Sequence, residues 1–327
     1  MKNNLFETNE EITEILKSHG LYQITLPLPF RLNHVNCFMA EGEKGWKIID
    51  TGLHNKETVA RWEQTIPQKE ITDIIITHYH PDHYGYAGGL QNKLQANVSM
   101  TKIDADAALK AWDEEFLANL NENYTLTGIP ASIANQMTAN TESFTDVITP
   151  YPRIDHYLKE GEKMVLGKRE YEIIHTPGHS DGLVCFYNQT HNILISTDHI
   201  LPKITPNISY WFHGDSNPLD SYLKSLHKMK KLDAELVIPS HGSPFIGANA
   251  RIDEIIAHHE DRFHILLDSI KEGVTIYEAC NILFKKELTI HETRFAVGEA
   301  FAHLEYLRYQ GDCQREVQNG VYSYTIR

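Results

Sequence analysis

The stretch Ile74-Ile75-Ile76-Thr77-His78-Tyr79-His80-Pro81-Asp82-His83-Tyr84-Gly85 restricts the fold more than any other part of the chain. Its β-branched run is too short for a core helix and reads as a strand, and four side chains able to bind a metal follow within six residues. In extended backbone His78 and His80, two residues apart, project to one side. Pro81 fixes its own φ, biases His80 towards extended backbone and suits the first turn of a helix. Asp82 and His83 should therefore lie past a bend and point elsewhere. One loop can then serve two metal ions. A histidine-rich surface loop is the plain alternative. It accounts neither for four ligand types crowded at a strand end nor for His179, Asp198 and His241, each of which follows a strand-like run of its own.

Around that loop the pattern alternates between strands and helices. A short polar helix is expected over 10–18, an extended, proline-interrupted segment at 22–29, and a hairpin of strands 35–40 and 46–50 joined by a turn at 41–45. Asp50 closes the second strand ahead of a helix over 55–65, and is either a cap or a carboxylate that orients a ligand histidine. Gly88-Gly89 marks a place where a helix can approach the sheet closely, and 98–101 reads as another strand. Leu109, Trp112, Phe116 and Leu120 follow a helical apolar period, and a second helix starts near Pro130 with Ile133 and Met137. Residues 104–145 thus read as a helical insertion that packs in the ordinary way or serves as a lid.

Strands return at 163–166, 170–175, 183–188 and 192–197. Asn217-Pro218-Leu219-Asp220 starts a helix with Asn at the cap and Pro at the first position, and a last strand at 236–239 leads into His241. From 248 the pattern is helical: a long element through Ile252, Ile255, Leu266 and Ile270, a second helix opened by a Thr275/Glu278 capping box, and a third over 291–310. A hairpin then turns on Asn319-Gly320. Three helices and a hairpin suggest a winged-helix-like domain over 248–327, following a catalytic domain over 1–247.

Composition narrows the function. A net charge of −14 suits neither nucleic acid nor an anionic membrane as a partner. The third C-terminal helix holds Glu292, Glu299 and Glu305 with only Arg294 and Arg308 against them, unlike a helix that reads a nucleic-acid groove. Cys37, Cys185, Cys280 and Cys313 form no C-x-x-C pair and read as reduced, mostly buried thiols. Residues 1–20 lack a cationic start followed by an apolar stretch, and no run approaches the roughly 18–20 apolar residues of a membrane span, so a cytoplasmic protein is expected. His175, His199 and His213 are expected to have hydrogen-bonding or core roles, and His258, His259 and His264 to face solvent or domain contacts. Tyr210, Trp211 and His213 could line a pocket.

The ordered ligand positions resemble the metallo-β-lactamase superfamily. HxHxDH appears as His78, His80, Asp82 and His83. His179 follows in Thr176-Pro177-Gly178-His179-Ser180, Asp198 in Ser196-Thr197-Asp198-His199, and His241 in Ser240-His241-Gly242. Over roughly residues 20–245 the resemblance implies an α/β fold, the four-layer αββα sandwich. It also implies that His78, His80 and His179 bind one metal ion, that Asp82, His83 and His241 bind a second, and that Asp198 bridges them. Zinc suits these nitrogen and oxygen donors, with iron or manganese as alternatives. By charge counting the loaded site should attract electron-rich or anionic substrates.

Histidine rather than glutamate at position 80 sets the chain apart from the flavodiiron branch, and the lack of a second-site cysteine separates it from many true β-lactamases. The dinuclear set looks more like the branch containing glyoxalase II, acyl-homoserine lactonases and zinc ribonucleases, and the C-terminal module makes the chain similar to LACTB2-like proteins. The activity so implied is hydrolysis of a small acyl thioester, ester or lactone through a metal-bridging hydroxide, with Asp82 and Asp198 as catalytic residues. An RNA phosphodiesterase is the alternative raised by the LACTB2-like likeness, and a metal-bearing regulatory or binding protein is the third.

Overall fold

The computed structural model of the chain describes residues 9–66 and 68–326; the part of the N-terminal reading that falls on 1–8 lies outside the described residues. One six-stranded sheet runs in the order β1 (Leu21–Pro27), β2 (His34–Ala40), β3 (Trp46–Ile49), β4 (Ile71–Ile75), β5 (Asn97–Met100) and β6 (His156–Tyr157). Its first three strands are antiparallel, and β3 to β6 are parallel. The second sheet comprises β7 (Lys163–Leu166), β8 (Arg169–His175), β9 (Val184–Asn188), β10 (Ile193–Thr197), β11 (Leu236–Pro239) and β12 (Phe245–Ile246), antiparallel except where β10 meets β11.

Because side chains alternate along a strand, each sheet feeds two cores. On β2, Val35, Cys37 and Met39 enter one core while Phe38 and Ala40 enter another, between the sheets. On the facing sheet Ile193, Ile195, Leu236 and Ile238 complete the inter-sheet core, and Leu194 and Val237 point the other way. Burial on both faces explains why these strands read as continuous apolar runs rather than alternating ones.

The outer layers are helical. α1 (Asn9–Ser18) seals one end of the inter-sheet core with Ile12 and Leu16. α2 (Lys56–Thr65), the single turn α3 (Pro81–Tyr84), α4 (Ala87–Leu94) and α5 (Lys102–Lys110) belong to the first sheet's outer face, where Trp62, Leu90 and Ala108 are fully buried. α6 (Glu114–Thr125) and α7 (Ala131–Glu142) follow, and then α8 (Pro218–Lys230) and α9 (Ala248–Ile270) cover the second sheet through Leu219, Tyr222, Leu226, Ile252 and Ile255. The result is the αββα sandwich expected from the sequence. Among the described residues no helix is long and apolar enough to cross a membrane, and all four cysteines are buried and outside any disulfide.

Three local readings change. The apolar period from Leu109 to Leu120 is not one helix: α5 stops at Lys110, Leu109 is 57% exposed, and Asp113 opens α6 by accepting from the backbone of Glu115 and Phe116. A strong N-cap there outcompetes a continuous stripe. The boundary at 104 consequently falls inside α5. Gly88 does permit a close approach, but its partner is the backbone at Pro150, whose oxygen would stand 1.8 Å from an added Cβ. Asn217 precedes α8 without a side-chain cap; Asp215 accepts from the Asn217 N–H and the Ser221 hydroxyl instead. Of the two roles expected for His259 it takes the domain contact, buried 3.0 Å from His303 and edge-on to Tyr222 of α8 at 5.8 Å.

The C-terminal segment continues α9 with β13 (Val274–Thr275), α10 (Ile276–Leu283), α11 (Ile290–Gln310), β14 (Cys313–Gln318) and β15 (Val321–Ile326). Asn319 and Gly320, at φ of 51° and 80°, both take the left-handed backbone that a two-residue hairpin turn requires. β13 pairs with β15 as a third strand that no sequence signal announced. Capping boxes open both shorter elements, Thr275/Glu278 at α10 and Thr289/Glu292 at α11. The acidic residues of α11 are largely turned inward: Glu299 meets Arg262 and Asn207, and Glu305 takes Arg308, Arg315 and the Tyr324 hydroxyl. Leu120, Tyr124, Ala134 and Met137 of α6 and α7 share one core with Leu266, Phe301 and Leu304, so the insertion is joined to the C-terminal helices by apolar packing.

Candidate metal centre

The seven proposed ligands and Asp50 all sit where a strand has just ended. β4 releases the segment of His78, His80, Asp82 and His83; β8 leads to His179, β10 to Asp198 and β11 to His241. Strand ends are rigid platforms, and the two sheets are locked at this edge by the Val184 N–H donating to the Thr77 carbonyl and the Asn36 N–H donating to the Ser240 carbonyl. Pro81 occupies the first position of α3, as its fixed φ favours, and turns Asp82 and His83 away from the strand direction. At Gly178 φ is +136°, and an added Cβ would stand 2.4 Å from that of Tyr222 on α8. Only glycine lets the His179 loop lie so close to that helix.

A second ring of groups fixes which nitrogen each imidazole offers. Asp50 accepts from the Thr77 N–H and hydroxyl and from His83 Nδ1, each at 2.8 Å. The two readings of Asp50 therefore resolve towards a carboxylate that orients His83. With its proton given to Asp50, the Thr77 hydroxyl accepts from His78 Nδ1 at 3.0 Å. The carbonyls of Asn207 and His34 can only accept, so His179 Nδ1 and His241 Nδ1 donate to them at 2.8 and 2.7 Å. Four histidines are thus left with Nε2 turned to the centre. His80 differs: its Nδ1 faces His179 Nε2 at 2.8 Å.

Three ligand groups have their donor atoms within 4.8 Å of one another: His78, His80 and His179; His78, His83 and Asp198; Asp82, His83 and His241. The Asp198 carboxylate reaches both ends, with Oδ2 3.4 Å from His179 Nε2 and 3.2 Å from His241 Nε2, and Oδ1 3.5 Å from His83 Nε2. Asp82 Oδ2 lies 3.3 Å from His241 Nε2. The Nε2 atoms of His78, His80 and His83 and Oδ1 of Asp198 are buried without a hydrogen bond. Buried polar atoms are normally paired, and converging unpaired nitrogen and oxygen donors fit a divalent cation.

The electrostatics divide the centre in two. Burial prevails at His78, His80 and His179 and holds each below the ordinary histidine pKa, so these rings are neutral donors. At His241 burial is overcome by Asp198 and then Asp82, which lift it to about 10, and His83 is raised by Asp198, Asp82 and Asp50 in the same way. Asp82 and Asp198 stay ionised because His83 and His241 outweigh their burial. A proton and a metal ion therefore compete for Nε2 of His83 and of His241.

Sequence reasoning missed Asp104. Fully buried on α5, it accepts from the Tyr79 N–H and the Ser180 hydroxyl through Oδ2 and from the Gly182 N–H through Oδ1, tying the loop of His78 and His80 to the loop of His179. Burial pushes it up to about 7 against those three hydrogen bonds. Its one sequence signal was the Thr101-x-x-Asp104 spacing, which reads as a helix start. The other histidines behave as expected: His175 donates to the Asp181 carbonyl, His213 to the Trp211 carbonyl, and His199 is buried edge-on to Tyr222. A cavity of about 640 Å³ opens over the centre, and Tyr210, Trp211 and His213 do line it.

Such an αββα sandwich, with histidines and aspartates converging at the strand ends, defines a class of metallohydrolases. A family model described as Metallo-beta-lactamase superfamily matches residues 31–241, and a second, Metallo-beta-lactamase-like, C-terminal domain, matches 263–327. The chain belongs to the metallo-beta-lactamase superfamily and is a hydrolase of it. A Bacillus subtilis protein called probable metallo-hydrolase YqjP is 22% identical over 311 residues, covering 89% of this chain and 93% of its own length. Acyl-coenzyme A thioesterase MBLAC2 of Gallus gallus is 28% identical over 226 residues, 65% of this chain and 74% of that protein. The crystal structure of a metallo-beta-lactamase family protein from Thermus thermophilus matches with a TM-score of 0.83 at 28% identity, covering 94% of this chain and 99% of that one.

Proposed function

We propose that this chain is a dinuclear metallohydrolase acting on a small acyl thioester, ester or lactone. The observation that carries the dinuclear reading is the reach of Asp198, whose two oxygens approach His179 on one side and His83 and His241 on the other. His78, His80 and His179 would hold one ion, Asp82, His83 and His241 the second, and Asp198 both; zinc suits the donor set. Two such ions supply a water activated at neutral pH and positive charge for the oxygen that becomes anionic.

The chain's own residues do the rest. Asp82 lines the cavity beside His241, so its carboxylate is placed to orient the attacking water and accept its proton. Asp50, the Thr77 hydroxyl and the carbonyls of His34 and Asn207 keep four imidazoles aimed, which removes reorganisation from the reaction. Trp112, Phe116, Trp211 and Phe295 face the cavity and exclude water from the acyl group. The thioesterase named among the relatives supports an acyl substrate, and the apolar wall supports a small one. We read 1–247 as the catalytic domain and 248–327 as a winged-helix-like domain that closes the cavity.

Metal analysis of the purified protein, followed by assays on acyl thioesters, lactones and single-stranded RNA, tests this reading. Two ions per chain and metal-dependent acyl hydrolysis are expected, with Asp198→Ala losing about 10³-fold or more in kcat/KM together with one equivalent of metal. RNA cleavage without acyl hydrolysis would overturn the substrate class, and full metal content in Asp198→Ala would overturn the shared ligand.

A further inference from the structure

Arg294 stands in the first turns of α11 and projects into the cavity wall, only 9% exposed. Its surroundings are aromatic: the guanidinium carbon lies 5.1 Å from the ring centre of Phe144, 5.5 Å from Trp211 and 4.9 Å from Phe295. Nη1 donates to the Thr141 hydroxyl at 3.3 Å, and Nε is buried without any hydrogen bond. No carboxylate of the described residues pairs with it. Elsewhere in the same module the arginines are satisfied, Arg262 by Glu299, and Arg308 and Arg315 by Glu305. Arg31 and Lys286, which also line the cavity, already share Glu292 at 3.4 and 3.6 Å. A buried cation without a counter-ion is costly, and rings that attract it by their faces offset only part of that cost.

We propose that Arg294 is an anion anchor and that the molecule bound in the cavity carries a carboxylate at the end remote from the metal centre. Trp211 lies within reach of both sites, 6.1 Å from the His80 ring and 5.5 Å from the guanidinium carbon. A guanidinium matches a planar carboxylate through charge-assisted bonds, and Nη1 is its one nitrogen already engaged, with Thr141. One positive charge in an apolar enclosure balances a single carboxylate; a phosphate dianion would put a second charge on the same group and leave it uncompensated there. As an account of substrate choice this rests on the acyl hydrolase reading above, whereas as an anion site it stands on Arg294 alone.

Two measurements on the full chain separate those halves. Glutarate, glutaramide and ethyl phosphate are titrated into metal-free protein with tryptophan fluorescence as the readout, using the wild type, R294M and R294K. Glutarate is expected to bind, glutaramide not to bind, and R294M to weaken glutarate about 10- to 100-fold, the range of a hydrogen bond to a charged group. R294K keeps the charge without the fork and should fall between; it carries the test if R294M fails to fold. Equal glutarate affinity in every variant would overturn the anchor, and tighter binding of ethyl phosphate would overturn the carboxylate.

In the metal-loaded enzyme, thioesters of succinate and of butyrate with a common thiol are then compared. The wild type should favour the succinyl compound about 10- to 100-fold in kcat/KM, and R294M should lose that preference while keeping butyryl turnover. An equal fall on both substrates would make Arg294 a structural residue and overturn the anchor. Arg294-dependent glutarate binding without hydrolysis of any acyl compound would overturn the acyl-substrate reading alone.

Discussion

The floor and the far wall of the cavity are built on opposite plans. In the floor, the oriented imidazoles are held by a second group: Asp50 behind His83, Thr77 behind His78, and main-chain carbonyls behind His179 and His241. In the wall, formed by α11, α7 and the segment of Trp211, the surface is aromatic and holds a single unpaired cation. The floor stands on strand ends of two sheets that are hydrogen-bonded to each other, and the wall on helices joined chiefly by apolar packing, with Arg294 donating to Thr141 across it. Chemistry that tolerates errors of a few tenths of an ångström belongs on the first, and recognition of one charged group can be served by the second.

Three perturbations should separate the regions. The largest is expected at Phe301, fully packed in the wall and stacked on Tyr210 at 4.1 Å. Phe301→Ala should lower unfolding free energy by about 3–5 kcal/mol in urea titrations while the folded fraction retains its metal. Loss of metal from folded Phe301→Ala protein would show that floor and wall are one cooperative unit. A smaller change should come from Asp50→Asn. The amide can still accept from Thr77 but cannot serve every donor now converging on the carboxylate, and metal affinity should fall about 10- to 100-fold in a chelator competition. Unchanged affinity would mean that His83 needs no partner to hold its orientation.

The smallest effect is one of pH. His303 Nδ1 donates to the Glu299 carbonyl at 2.7 Å, so its Nε2 must accept from His259 Nδ1 at 3.0 Å, and both rings are neutral. Burial, then Arg262, hold His303 down to about 3. The unfolded chain therefore takes up this proton first: the contribution is complete above about pH 6.5 and is lost as pH falls from there towards 3, at about 1.4 kcal/mol per unit. Urea midpoints measured between pH 7 and 5 should fall less steeply for His303→Gln than for the wild type. Identical slopes would place the acid sensitivity outside the joint between α9 and α11.

Much of the floor was legible because its signals are local. Four ligands packed behind a β-branched run, a proline at the bend, and three more ligands each after a strand carry their spacing in the chain itself. Asp50 was half legible: its position at a strand end fits two roles, and only the proximity of His83, 33 residues on, decides between them. Asp104 was not legible, since a first-turn aspartate three residues after threonine already has a sufficient local explanation. Leu109 misled for a related reason, because a helical period continues through a capping aspartate that opens a new helix. Arg294 looked like one of two cations on an acidic helix, yet its counter-charges all lie elsewhere: Glu299 is taken by Arg262, and Glu305 by Arg308 and Arg315.

By itself the sequence determined the strands, the loops that follow them and the order of the seven candidate ligands, since strand composition, turn chemistry and ligand type are properties of short stretches; the sandwich and the sharing of those ligands between two ions were what the family resemblance implied. Only the tertiary structure decided which nitrogen each histidine offers, that Asp104 ties two ligand loops, and that Arg294 is left without a carboxylate in the cavity wall. Each of these depends on which distant group a side chain meets, and in a packed chain that is fixed by the sheets and helices together rather than by any residue's neighbours in sequence.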